Sequence, residues 1–168
     1  MRRRHAIVFL AVLLVSAGCD QATKRIAVER LAGAAPVSLA GDVVRLELAA
    51  NPGGFLSLGA QLPHAARRVL FVALVPAFVL LVCALVWRAG APAAGSMVGL
   101  GLVAGGGLGN WLDRLLRDGF VTDFLSLNVG PLRTGIFNVA DVAVLAGVAL
   151  LLLARSGSRS EPPREVSA

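Results

Sequence analysis

The 168-residue chain is 57% hydrophobic and only 15% charged, with a mean hydropathy of +0.77. A soluble domain of this size has too little interior to hide so much apolar surface, so the bilayer is the expected solvent. The formal charge of +6 does not point to nucleic acid: Arg2-Arg3-Arg4 is the one basic block, and there is no Tyr for base stacking.

The first apolar stretch is His5 to Cys19, uncharged behind those three arginines. Its Ser16-Ala17-Gly18-Cys19 ending also reads as a lipoprotein signal, although the residue three before Cys19 is Ser rather than Leu. Asp20 and Lys24 follow at i,i+4 spacing and pair on one helix face. Next, Val44, Leu46 and Leu48 alternate with Arg45 and Glu47, which predicts a strand at one edge of a small sheet on the membrane surface. Asn51-Pro52-Gly53-Gly54 then reads as a turn.

Val69 to Trp87 gives 19 residues without a charge, and Ala89 to Leu112 gives 24. Phe137 to Ala154 is interrupted only by Asp141, and its 18 residues rise about 27 Å as a helix, just enough to span. The expectation is an all-α integral membrane protein with four transmembrane helices, at about 5–28, 67–87, 93–113 and 137–154. The segments at about 31–66 and 114–136 lie outside the cell membrane, and 155–168 reads as a disordered cytoplasmic tail.

The N-terminal arginines place both termini in the cytoplasm. That orientation leaves seven of the 16 basic residues inside and nine outside, so it rests on the N-terminal cluster. Cys19 and Cys83 fall near opposite faces and do not pair. His5 and His64 are isolated, which leaves no expected metal site.

Charged groups at membrane depth are costly and mark function. Asp20, Lys24, Asp113, Arg114, Asp123 and Asp141 all fall at or near the outer helix ends on this topology. Simpler roles stand beside the functional one. Asn138 reads as an N-cap with Asp141 at the third helical position. Asp113 with Arg117 and Arg114 with Asp118 read as solvated i,i+4 pairs. The glycines from Gly95 to Gly109 lack the Gly-Lys-Ser/Thr of a phosphate loop and read as close helix packing.

Five short motifs carry a resemblance: Asp20-Gln21-Ala22-Thr23-Lys24, Asn51-Pro52-Gly53, Gly106 to Arg114 (GGLGNWLDR), Val121-Thr122-Asp123-Phe124 and Phe137-Asn138-Val139-Ala140-Asp141. In this order they resemble the lipoprotein signal peptidases (signal peptidase II), aspartyl proteases of the bacterial inner membrane. The resemblance covers about residues 5–154 and implies that Asp123 and Asp141 form the catalytic dyad. It places Asn51, Gly53, Asn110, Arg114 and Asn138 at the substrate, with Asp20, Lys24 and Asp113 in support. The surface sheet would clamp the substrate peptide over the membrane. The implied substrate is a prolipoprotein whose lipobox cysteine carries diacylglycerol, cut before that cysteine among membrane lipid and without a cofactor. Phe55 arrives early for the family pattern, the link from Arg114 to Asp123 is about one residue long, and Ser126 stands where an acidic residue is common.

Two carboxyls at short range share one proton, so one activates water while the other protonates the leaving group. A transporter would distribute its acidic residues through the membrane depth, whereas these gather at one face. A serine–lysine peptidase is disfavoured, because Lys24 is the sole lysine and no Ser sits in a nucleophile motif.

Overall fold

Four helical rods and one four-stranded antiparallel sheet make up the described part of the computed structural model, residues 3–88 and 94–157. Helix α1 runs from Arg3 to Leu31. Strands β1 (Val37–Leu39) and β2 (Val44–Asn51) follow. The second rod is built from α2 (His64–Arg68), a π-helical turn (Val69–Leu74) and α3 (Val75–Arg88). Then come α4 (Ala94–Leu116), β3 (Val121–Val129), β4 (Leu132–Arg133) and α5 (Val139–Gly157).

The rods are apolar outside and polar within. Ile7, Leu14, Phe78 and Leu153 are each more than 60% exposed, while Asp20, Lys24, Asp113 and Asp123 are at most 1% exposed. This inversion suits a chain whose solvent is hydrocarbon. By length and composition, Arg3–Leu31 and His64–Leu81 are able to cross a membrane, and Val139–Ala154 is a shorter apolar helix. Helix α4 falls short of that standard because glycines and the Asn110–Arg114 end dilute its apolar run.

Close backbone approach holds α4 between α1 and α5. A Cβ on Gly105 would lie 2.6 Å from the Leu13 carbonyl, and one on Gly106 would lie 2.5 Å from the Ala140 carbonyl. Helix association in lipid depends on such small residues, so the packing reading of the glycine run holds for this stretch. Gly95 meets nothing within 4 Å and does not take part.

The sheet order is β1-β2-β3-β4. Strand β2 is therefore central rather than the expected edge; the short β1, whose Val37 pairs with Leu46, covers its outer side. Between Leu46 and Ala49 the β2–β3 register shifts by one residue. Phe137 exchanges backbone hydrogen bonds with Leu125 (2.8 and 2.9 Å), which brings the start of α5 against β3. Helix α5 continues to Gly157, so residues 155–157 are helical rather than part of a tail, and residues 158–168 lie outside the described part.

Candidate active site

Helix α1 brings Asp20 and Lys24 to one buried face by their four-residue spacing. The Lys24 ammonium lies 2.8 Å from Asp20 and 3.2 Å from Asp113 of α4, so the pair is a buried three-group cluster rather than a surface pair. Arg117 approaches Asp113 at 3.6 Å, as its i,i+4 position anticipates. Gln21 ties the same helices by donating to the Gly109 carbonyl at 3.0 Å.

Three amide side chains then connect five elements: α1, β2, α4, β3 and α5. Asn138 accepts the Asp141 N–H (3.0 Å) at Oδ1, while the Asp141 carboxylate accepts the Asn138 N–H (3.2 Å). This reciprocal cap starts α5 and satisfies donors a helix leaves open. Because a backbone N–H only donates, the Asn138 oxygen must face it, and the Asn138 amide nitrogen is left to donate to Asp123 at 2.6 Å. The same nitrogen reaches Asn110 Oδ1 at 3.1 Å.

Asn110 is oriented by the same logic. Its oxygen accepts from Lys24 (2.8 Å), which has no acceptor to offer, so its nitrogen donates to Asp141 (3.0 Å). Asn51, at the end of β2, accepts the Gly53 N–H at 2.8 Å and donates to Asp123 at 2.8 Å. The expected turn after Asn51 is thus closed by the Asn51 side chain itself. A Cβ on Gly53 would sit 2.5 Å from the Leu58 carbonyl, which explains glycine there.

Arg114 does not take the simpler alternative, a surface pair with Asp118. It turns inward, donating to the carbonyls of Gly53 (2.5 Å) and Asn110 (3.1 Å), with its guanidinium 4.9 Å from the centre of the Phe71 ring. Two carbonyls and an aromatic face hold it better than one solvated carboxylate does. Asp118 instead lies in an exposed turn, 4.0 Å from His64. Trp111 donates its indole N–H to the Val72 carbonyl at 3.0 Å. Pro76, four residues beyond Val72, has no N–H to give that carbonyl.

All ten residues singled out from the sequence lie in this one connected region. Phe71, Gln21 and the backbone N–H groups of Thr122 and Ala140 belong to it as well. Phe71 sits in an apolar run and carried no polar signal, and backbone donors leave none in a sequence.

Burial pushes the Asp123 carboxyl up to about 6 from its ordinary 3.8, with the Asp141 charge adding to the rise. Hydrogen bonds from Asn51 and Asn138 oppose this without cancelling it. A carboxyl that titrates near neutrality, linked through one residue, Asn138, to a second carboxyl, is able to carry or accept a proton at working pH.

The sequence profile of a family described as signal peptidase (SPase) II matches residues 11–156. Lipoprotein signal peptidases from Leifsonia xyli subsp. xyli and Rhodococcus jostii are 35% and 34% identical. Each alignment covers 90% of this chain, and 70% and 72% of those proteins. The lipoprotein signal peptidase of Halothermothrix orenii is 32% identical over 88% of this chain and 93% of its own length. A solved structure described as a bacterial membrane enzyme superposes with a TM-score of 0.75 at 22% identity, covering 99% of this chain and 96% of the other. A second such structure gives 0.65 at 22% identity, over 92% and 94%. At that identity the likeness speaks for the fold.

Proposed function

Since the chain belongs to the signal peptidase II family, whose members are aspartic-type peptidases, we propose that it cuts diacylglyceryl-modified prolipoproteins before the lipidated cysteine, with Asp123 and Asp141 as its dyad. One observation carries the assignment of the dyad: Asn138 binds the Asp123 carboxylate through its side chain and the Asp141 carboxylate through its backbone N–H. Among the described residues no other residue joins two carboxyls through its side-chain amide and its backbone N–H together; Gln21 reaches Asp20 and Asp113 through its side chain alone.

In this reading one aspartate, ionised, takes a proton from water as the water attacks the scissile carbonyl. The other, protonated, delivers its proton to the leaving amine. The two carboxyls share a single proton because both charges together are costly in a buried site. Asn51, Asn110 and Asn138 hold the carboxyl oxygens in place, so little reorganisation is needed as charge moves. Arg114 keeps its two inward bonds to Gly53 and Asn110, and its Nε is buried without a hydrogen-bond partner among the described residues. That leftover N–H is suited to a substrate carbonyl.

The four rods cross the bacterial inner membrane with both termini in the cytoplasm, and the sheet lies on the outer surface over the substrate peptide. The lipid of the substrate lies among the rods, beside membrane lipid. The region from α1 to α5 acts as a single membrane-embedded peptidase domain.

The test follows cleavage of a diacylglyceryl-modified prolipoprotein by gel shift with purified wild type, Asp123→Asn and Asp141→Asn in detergent. Cleavage by wild type, with a loss of about 10⁴-fold in either folded variant, is the expected result. Normal cleavage by either variant removes that residue from the chemistry, and an inert wild type overturns the reading.

A further inference from the structure

Lys24 is buried to 1% exposure and meets three groups: Asp20 at 2.8 Å, Asp113 at 3.2 Å and Asn110 Oδ1 at 2.8 Å. An ammonium has three N–H donors, so these contacts occupy all of them. Each contact leads to one of the two aspartates. Asp20 accepts the N–H of Ala140 at 2.9 Å, the residue directly before Asp141. Asp113 accepts the N–H of Thr122 at 2.9 Å, the residue directly before Asp123. Asn110 donates to the Asp141 carboxylate itself at 3.0 Å.

We infer that Lys24 is a positioning residue that registers Asp123 against Asp141 through Asp20, Asp113 and Asn110, an inference that rests on the peptidase reading above. A mere tie between α1 and α4 needs only the ion pairs. It does not need the third N–H, which is spent on an amide oxygen. That bond matters because Asn110 presents either its NH₂ or its oxygen to Asp141, and only the NH₂ is compatible with a carboxylate. The ammonium decides which. Without it, Asn110 Oδ1 keeps one donor, Asn138, and the amide is free to turn its oxygen onto Asp141.

Lys24→Met alone would strand two buried carboxylates and risks unfolding the chain. The informative variant is K24M/D20N/D113N, in which asparagine oxygens still accept the Ala140 and Thr122 N–H groups. It is compared with wild type, Asn110→Ala and the combined quadruple variant, using prolipoprotein cleavage and thermal melting. The triple variant is expected to melt cooperatively and to lose about 10²-fold in kcat with KM little changed. Placed on top of Asn110→Ala, the same three changes are expected to cost less than about threefold, because contacting residues are not additive.

A second readout does not depend on activity. With asparagine selectively labelled with ¹⁵N, the side-chain amide signal of Asn110 should move between wild type and the triple variant. It is identified in wild type by its absence in Asn110→Ala, and in the triple variant, which adds two asparagines, by its absence in the quadruple variant. The signal of Asn51, which reaches Asp123 from the sheet, should stay. Additive losses in kcat, an unmoved Asn110 signal, or Asn110 and Asn51 moving together would each overturn the positioning role. An inert wild type would sink the peptidase reading, and the amide signals would still decide the role of Lys24.

Discussion

Asn51 shares a sheet face with Asp123 because β2 carries one extra residue between Leu46 and Ala49. Leu46 opposes Leu125, but beyond the bulge Ala49 opposes Asp123 and Asn51 opposes Val121. Facing residues share a side, and so do residues two apart on a strand. Asn51 is therefore the diagonal neighbour of Asp123, at 2.8 Å. In the unshifted register Asp123 would oppose Leu48, and Asn51 would point to the other face.

Removing that donor tests the arrangement. Asn51→Ala is expected to lower kcat by about 10²-fold, the usual effect of deleting one preorganised donor. The Asn51 hydrogen bond also draws the Asp123 pKa down, so its loss should move the limb of the pH–rate profile that Asp123 governs to higher pH. Steady-state kinetics across pH checks both effects.

The raised Asp123 pKa has its own signature. Asp123 keeps its proton to about pH 6 in the fold, against 3.8 for an ordinary aspartate. A folded value above the unfolded one favours the protonated form, so its contribution to stability is full below 3.8 and is lost as pH rises through about 6. Thermal melting of wild type should decline over that window, and Asp123→Asn should flatten the decline. The kcat/KM profile should fall on its alkaline side with a midpoint near 6, an apparent value of the coupled pair.

Two glycines of α4 should behave oppositely. Gly106→Val puts branched carbon 2.5 Å or less from the Ala140 carbonyl, one residue from Asp141, so it should spread α4 from α5 and abolish cleavage. Gly95→Ala meets nothing within 4 Å and should stabilise the helix by up to about 1 kcal/mol. Melting temperatures and cleavage rates of the two variants make the comparison.

Arg114→Lys should raise KM by about tenfold with a smaller change in kcat, since an ammonium cannot bridge two carbonyls and stack on Phe71 together. Asp118→Asn should leave both parameters unchanged, because Asp118 is 80% exposed and does not hold Arg114. A matching loss in both variants would restore the solvated pair.

Several features were legible in the sequence because they are local. Uncharged runs predict the helical rods, since burying a charge in lipid is expensive. The Asn138–Asp141 spacing predicts the cap, and the Asp20–Lys24 spacing predicts the pair, because both depend on one helical turn. The five motifs contain all ten residues singled out for the candidate site, but they do not include Phe71 and do not say which residue faces which.

Tertiary structure alone decided the rest, because it depends on register and packing between distant segments. The bulge that aims Asn51 arises between strands more than 70 residues apart, and the Phe137–Leu125 pairing is a single backbone bridge. The central place of β2 needs both that distant partner strand and the short neighbouring β1. Arg114 does not pair with Asp118 and takes the Asn110 carbonyl on its own helix together with a carbonyl and a ring brought in from 53 and 71. The convergence of Asp20, Lys24 and Asp113 on the backbone before each aspartate is likewise invisible in the chain, since hydrogen bonds to backbone N–H groups select geometry and leave no residue type behind.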